Sequence, residues 1–148
     1  MRTSCRFAMA VHVLAVLAYK EGDRVTSAFL AGSVNTNPVT IRRLLLSLQK
    51  ARLVETCRGA GSGSRLSRSP RRITLAEVYR SVENAKPFAT PAQKPSAACP
   101  VGHCIPDALA KVFASAQSAM ERDLAKTALA DMIDAVKAAG VCARKKVS

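Results

Sequence analysis

The chain lacks tryptophan and holds only four Phe and two Tyr in 148 residues. Alanine and leucine dominate its apolar content, which favours helices over sheets. No run of 18 apolar residues occurs, so no membrane-spanning helix is predicted. The apolar stretch Phe7–Tyr19 follows two arginines, as a signal-peptide core would. Lys20, Glu21, Gly22 and Asp23 then stand where a small-residue cleavage site belongs. The stretch therefore reads as a core helix of a cytoplasmic protein. There is no Cys-x-x-Cys, no nucleophile–base pair at useful spacing and no phosphate-cradling motif between a strand and a helix. These absences argue against an enzyme. The five cysteines (Cys5, Cys57, Cys99, Cys104, Cys142) are odd in number and mostly scattered, a poor disulfide framework. No internal repeat is present.

Acidic residues are the other shortage: 10 Asp+Glu face 23 Lys+Arg, a formal net charge of +13. The excess is uneven. Residues 1–72 hold 13 basic against 3 acidic residues, a net of +10, whereas residues 73–148 hold 10 against 7, a net of +3. A basic N-terminal half points to a polyanion, because each cation set on a phosphate releases condensed counterions. Hydrophobic residues make up 49% of the chain, enough to build a core and to exclude global disorder. The length suits one compact domain, or a small domain with an appended dimerisation arm.

Hydrophobic spacing predicts a first helix from about Thr3 to Lys20, with Phe7, Val11, Leu14, Ala15 and Ala18 on one side. A short second helix starts near Ser27 as N-cap and carries Phe29 and Leu30. Gly32 to Asn37 reads as a turn. Pro38 opens a third helix to about Lys50, at the position where its missing N–H costs nothing. Its apolar side carries Val39, Ile41, Leu44, Leu45 and Leu48. Leu53–Cys57 and Arg65–Ser67 form a hairpin around a Gly-rich tip. A helix follows with Leu75, Val78, Tyr79 and Val82, capped by Thr74 with Glu77 three residues on. Four prolines between Lys86 and Pro100 mark a loop. After Pro106 comes a long amphipathic helix, then a last helix capped by Thr127 with Leu129, Met132, Ile133 and Val136, and a frayed tail at Arg144–Lys146.

Helix, helix, turn, helix, hairpin is the order of a winged helix-turn-helix. The fold class is mainly α with a small β-hairpin, plus a long dimerisation helix. Its expected parts are a DNA-binding domain over 1–84, a Pro-rich sensor loop over 85–105, a helical dimerisation region over 106–140 and a basic tail over 141–148. In this arrangement the second helix of the pair sets its N-terminal residues against base edges in the major groove. Asn35, Thr36, Asn37 and Thr40 cluster there, with Arg42 and Arg43 a turn later. The hairpin adds Arg58 and Arg65. Each piece has a bland reading as a cap, a solvated face or a mobile tip. Their order within about 50 residues is what carries the assignment.

These stretches resemble the Rrf2 family of bacterial winged-helix regulators. The matching segments are Arg6–Leu17, Asn35–Leu53, Arg58–Arg68 and Ile73–Glu83, so the resemblance covers nearly the whole chain. It implies a homodimer, joined by the long helix after the loop, on a near-palindromic operator. The family's wing carries a paired glycine followed by a bulky residue. Here Gly61-Ser62-Gly63-Ser64-Arg65 departs from that pattern. Cluster-binding members use three cysteines near the Pro-rich loop, and this chain has two, Cys99 and Cys104. An iron–sulfur cluster would need completion by His103, by His12 or by the partner subunit. The Cys-Pro-Val-Gly segment at 99–102 is more similar to a branch without a cluster. There Cys99 is a redox-sensing thiol resolved by Cys104. Plain packing of both cysteines, and a zinc site from Cys99, Cys104, His103 and His12, stay open as alternatives. His12 is read as a core histidine, and Cys5 and Cys57 as half-buried bystanders.

The stripe Leu109, Val112, Phe113, Ala116, Met120 and Leu124 is apolar over four turns and predicts the dimer seam, with intramolecular packing as the alternative. The function read from the sequence is a dimeric, sequence-specific DNA-binding regulator, a repressor controlled by thiol oxidation and without a cofactor. The first alternative is a cluster-sensing regulator. More distant ones are a redox or metal-dependent enzyme built around Cys99 and Cys104 and an interaction module that does not bind DNA.

Overall fold

The computed structural model describes the backbone of residues 4–147 and the side chains of residues 4–140. Helix α1 (Arg6–Tyr19) buries Ala10, Val13, Leu14 and Leu17. Its inward face is thus rotated from the expected one, on which Phe7, Val11, Ala15 and Ala18 are only half-buried. The expected start at Thr3 lies outside the described residues. The α1 N-terminus is held by Glu83, whose Oε1 accepts the Phe7 N–H at 3.2 Å. A carboxylate there also suits the positive end of the helix dipole.

Helix α2 (Ser27–Val34) is capped by Thr26 rather than Ser27, since Thr26 Oγ1 accepts the Phe29 N–H at 3.2 Å. It ends at Asn35, left-handed with φ 60°, a conformation Asn tolerates better than most residues. The Thr36 N–H then bonds back to the Ala31 carbonyl at 2.9 Å. Helix α3 (Pro38–Lys50) begins at Pro38 as expected and is capped by Asn37, whose Oδ1 accepts the Val39 N–H at 2.8 Å. Ile41, Leu44, Leu45 and Leu48 face the core. Leu14, Leu44 and Leu48 are at most 2% exposed, and each such leucine stabilises the fold by about 1.5–3 kcal/mol.

The chain leaves α3 through Arg52, at φ 58°, into an antiparallel hairpin of β1 (Val54–Cys57) and β2 (Gly63–Leu66). Its register pairs Val54 with Leu66 and Cys57 with Gly63. The return strand also docks on the segment before α2. Val25 and Ser64 exchange two backbone hydrogen bonds, of 2.9 and 2.8 Å. This close approach explains Gly63, which has φ 139° and where a Cβ would lie 2.9 Å from the Val25 carbonyl oxygen. A single-turn 3-10 helix over Pro70–Arg72 leads to α4 (Leu75–Val82). The expected cap on α4 is a full capping box: Thr74 Oγ1 accepts the Glu77 N–H, and Glu77 Oε2 accepts the Thr74 N–H at 2.9 Å. Arg6 Nε donates to the Val82 carbonyl at 2.9 Å, closing α4 against α1.

Helix α5 spans Pro100–Leu124 and so begins one full turn and more before its expected start, with Pro106 inside it. Pro100 takes the first helical position. Pro106, in the second turn, removes the hydrogen bond to the Gly102 carbonyl and crowds it. At 25 residues the helix is ~37 Å long. Its C-terminal end is clamped. The Leu75 N–H bonds to the Thr127 carbonyl at 3.0 Å, and Arg80 Nε meets Glu121 Oε2 at 3.0 Å. Hydrogen bonding to Arg80 holds the Glu121 carboxyl below its ordinary range. Helix α6 (Leu129–Val147) returns across α1. Thr127 does not cap it; the Asp131 carboxylate accepts the Ala128 N–H at 2.8 Å. Val136 is 53% exposed, not a core residue. The backbone stays helical through the segment expected to fray at Arg144–Lys146.

No residue of α5 is fully buried. Leu109, Phe113, Ala116, Met120 and Leu124 are half-buried within the chain, and Phe113 stacks on Phe88 of the Pro-rich loop at 5.0 Å. The most exposed apolar side chains lie about a quarter-turn round the helix: Val101 at 67%, Ile105 at 37% and Val112 at 61%. Of the six expected seam residues, only Val112 belongs to this open face.

Candidate nucleic-acid interface

Helix α3 has two faces because its core stripe is strict. With Ile41, Leu44, Leu45 and Leu48 buried, the opposite positions Val39, Arg42, Arg43, Leu46, Gln49 and Lys50 are exposed. Val39 therefore belongs to the outer face, at 45% exposure, and not to the core side. Arg42 and Arg43 form no ion pair among the described residues, and neither does Arg58 at the hairpin. A cleft of about 550 Å³ separates α3 from the hairpin, walled by Arg42, Leu46 and Gln49 on one side and Thr56, Cys57 and Arg58 on the other. The arginines are free to meet phosphate, while the Gly-rich tip has room to follow a backbone.

The remaining expected contacts divide. Asn35 and Asn37 shape the turn, one as the left-handed end of α2 and the other as the cap of α3. Asn35 is exposed and Thr36 and Thr40 half-exposed, all at the N-terminal end of α3. Arg65 is exposed but paired with Glu55 across the hairpin at 3.1 Å. Arg68, which follows the hairpin and is not one of those contacts, is engaged internally, donating to the Glu77 carboxylate at 3.0 Å and to the Arg72 carbonyl at 3.3 Å. Val39, Leu46 and Gln49 share this exposed face and are not among the expected contacts. The complement of the core stripe, read at the same helical spacing, identifies them.

The cysteine segment is not the expected loop. Cys99 is the N-cap of α5 and Cys104 lies within its first turns, both exposed. Helical geometry separates residues five apart by ~9 Å between Cα atoms, beyond the ~7 Å limit for a disulfide. Bonding between Cys99 and Cys104 thus requires the first turn to unwind. Gly102 packs against the Ser96 carbonyl, 2.5 Å from where a Cβ would stand, which folds the Pro-rich loop onto this turn. Cys5 and Cys57 are exposed rather than half-buried. His12 is also exposed and bonded to Ser33 Oγ at 3.0 Å, so it is not a core histidine. The side chain of Cys142 lies outside the described residues. Among those residues no three His, Cys, Asp or Glu side chains gather as a metal site. Cys99, Cys104, His103 and His12 are accordingly not gathered into one such group among the described residues. No helix among them is long and apolar enough to cross a membrane.

Comparison with known proteins agrees with this geometry. Residues 3–135 match the Rrf2 family profile, described as an iron-dependent transcriptional regulator. The chain is 39% identical over 129 residues to YwnA of Bacillus subtilis (strain 168), a candidate HTH-type transcriptional regulator, covering 87% of this chain and 95% of YwnA. It is 32% identical over 84 residues to the HTH-type transcriptional regulator IscR of Cereibacter sphaeroides, covering 56% and 54% of the two chains. A crystal structure of a candidate DNA-binding protein superposes with a TM-score of 0.70 at 39% identity, over 86% of this chain and 98% of that one. The IscR structure of T. potens, at 24% identity, shares the fold with a TM-score of 0.69, over 94% and 90%.

Proposed function

This chain belongs to the Rrf2 family of transcriptional regulators, and on that basis we propose that it acts in the cytoplasm as a homodimeric repressor bound to a near-palindromic DNA operator. The observation that carries the reading is the outer face of α3, where exposed Arg42 and Arg43 stand beside a cleft whose other wall is Arg58. Such a face enters the major groove with its N-terminal end toward the bases, while the wing follows the adjacent backbone. Asn35, Thr36, Asn37, Thr40 and Arg65 complete the contact set. Two recognition helices one DNA turn apart, about 34 Å, require two chains. The open face of α5 at Val101, Ile105 and Val112 supports pairing with a second copy, since an uncovered apolar stripe of this length is costly in water.

Oxidation of Cys99 is the controlling event in this reading. A peroxide transfers one oxygen to the Cys99 sulfur, giving the sulfenic acid and water. The Cys104 thiol then displaces a second water to form the disulfide. Because that bond needs the first turn of α5 to unwind, oxidation acts on the helix that joins the dimer. Anisotropy titration against the protein's own upstream DNA and against random DNA tests the core of the proposal. Preferential binding that peroxide alters, and that Cys99→Ser makes insensitive to peroxide, is the expected result. Equal affinity for both DNAs overturns sequence-specific regulation.

A further inference from the structure

The outer face of α3 holds one residue that capping, packing and charge leave unexplained. Val39 is 45% exposed at the second position of the helix, with its backbone fixed by the bond from its N–H to Asn37 Oδ1. Leu46, the other apolar residue of this face, has a local role as a wall of the cleft against the hairpin. Val39 does not line that cleft. It stands at the N-terminal end of the helix, a turn ahead of Arg42 and Arg43.

We infer that Val39 reads the C5-methyl group of a thymine in the major groove. The inference rests on the proposed mode of DNA binding. Among the four bases only thymine offers a methyl group to that groove, and apolar side chains recognise it by contact. Valine has no donor or acceptor, so it cannot select a base by hydrogen bonding. Its two methyl groups gain only where water is displaced from another apolar group. Asn37, the polar neighbour, has committed its Oδ1 to the helix cap. The cap bond fixes the orientation of that amide toward the helix N-terminus, which restricts the bidentate approach that recognition of adenine requires. Val39 thus adds apolar selection of a base to the polar contacts at the tip of α3.

The test replaces thymine by uracil, which removes the methyl group and nothing else. Bound sequences are first enriched from a random duplex pool with the full-length protein, and each thymine of the consensus is then exchanged singly. At one position in each half-site the wild type is expected to bind the uracil duplex about fourfold more weakly, the ratio corresponding to one buried methyl group at ~0.8 kcal/mol. Val39→Ala, which withdraws both γ-methyl groups, lowers that ratio toward one while leaving the salt dependence of binding unchanged. Val39→Thr, which keeps one methyl group, retains part of the ratio. Thermal melts confirm that both variants fold, as an exposed position permits. A wild-type ratio in Val39→Ala, or salt-dependent binding with no sensitive thymine, overturns the inference alone. Loss of all salt-dependent DNA binding by the wild type overturns the parent reading with it.

Discussion

Arg58 and Arg68 lie ten residues apart in one basic segment, and removing either lowers the charge by the same amount. Their surroundings predict opposite consequences. Arg58 is exposed at the wall of the cleft and has no ion-pair partner among the described residues. Arg68 is spent on Glu77 and the Arg72 carbonyl. A single phosphate contact contributes about 0.9 to the slope of log affinity against log salt. A dimer with one Arg58 contact per half-site therefore loses ~1.8 from the slope in Arg58→Ala. Between 50 and 200 mM salt that difference is about twelvefold in affinity. Arg68→Ala leaves the slope within error. It lowers stability instead, by about 1 kcal/mol, the upper range for a partly exposed ion pair. Anisotropy titrations on one duplex at four salt concentrations, with urea melts of each variant, measure both quantities. Equal slope changes in the two variants would refute the reasoning, because the effect would then follow net charge and not position.

Three further outcomes follow from the geometry. Bonding to the Thr74 N–H is the largest of the effects that hold the Glu77 carboxyl below its ordinary value of 4.5, with Arg68 adding to it. A lowered folded value means that this stabilisation is complete above pH 4.5 and is lost as pH falls through the folded value. The melting temperature should drop more steeply between pH 5 and 3 in the wild type than in Glu77→Gln, which keeps the capping box without a titrating group. Gly63→Ala forces a side chain against the Val25 carbonyl at φ 139°. It should lower unfolding free energy by about 2 kcal/mol, seen as an earlier urea midpoint; an unchanged midpoint would remove the wing's docking on Val25 from the argument. Val112→Glu charges the open face of α5 and should yield monomers in sedimentation, whereas a dimer of wild-type mass would place the seam elsewhere.

The winged domain was legible because its signals are local. Pro38, the Thr74–Glu77 capping box and the leucine stripe of α3 each act within a turn or two of the residues that announce them. Structure and expectation part where a second constraint decides. Val39 falls within the apolar sector of α3 by hydropathy alone, yet four better-placed residues fill the core and turn it outward. His12 lies on an apolar helix whose inward face is centred on Ala10 and Leu14, not on Phe7 and Val11. Both Pro100 and Pro106 can open a helix, and the structure begins α5 at the first, where Gly102 packs against the Ser96 carbonyl. That choice moved Cys99 and Cys104 from a loop to a helix end. It changed what a disulfide between them would demand.

Among the described residues, the polar ties between helix α5 and the winged domain lie at one end. The Thr127 hydrogen bond and the Arg80–Glu121 pair grip its C-terminus, while its N-terminal part extends along its own loop. In the proposed dimer this makes the helix a lever whose fulcrum lies beside the winged domain. A tilt of ~5° over ~37 Å displaces the far end by about 3 Å, close to the 3.4 Å rise of one base pair. The spacing of two half-sites is therefore set by an angle that one exposed ion pair helps to hold. An operator longer or shorter by one base pair would report the stiffness of that joint directly.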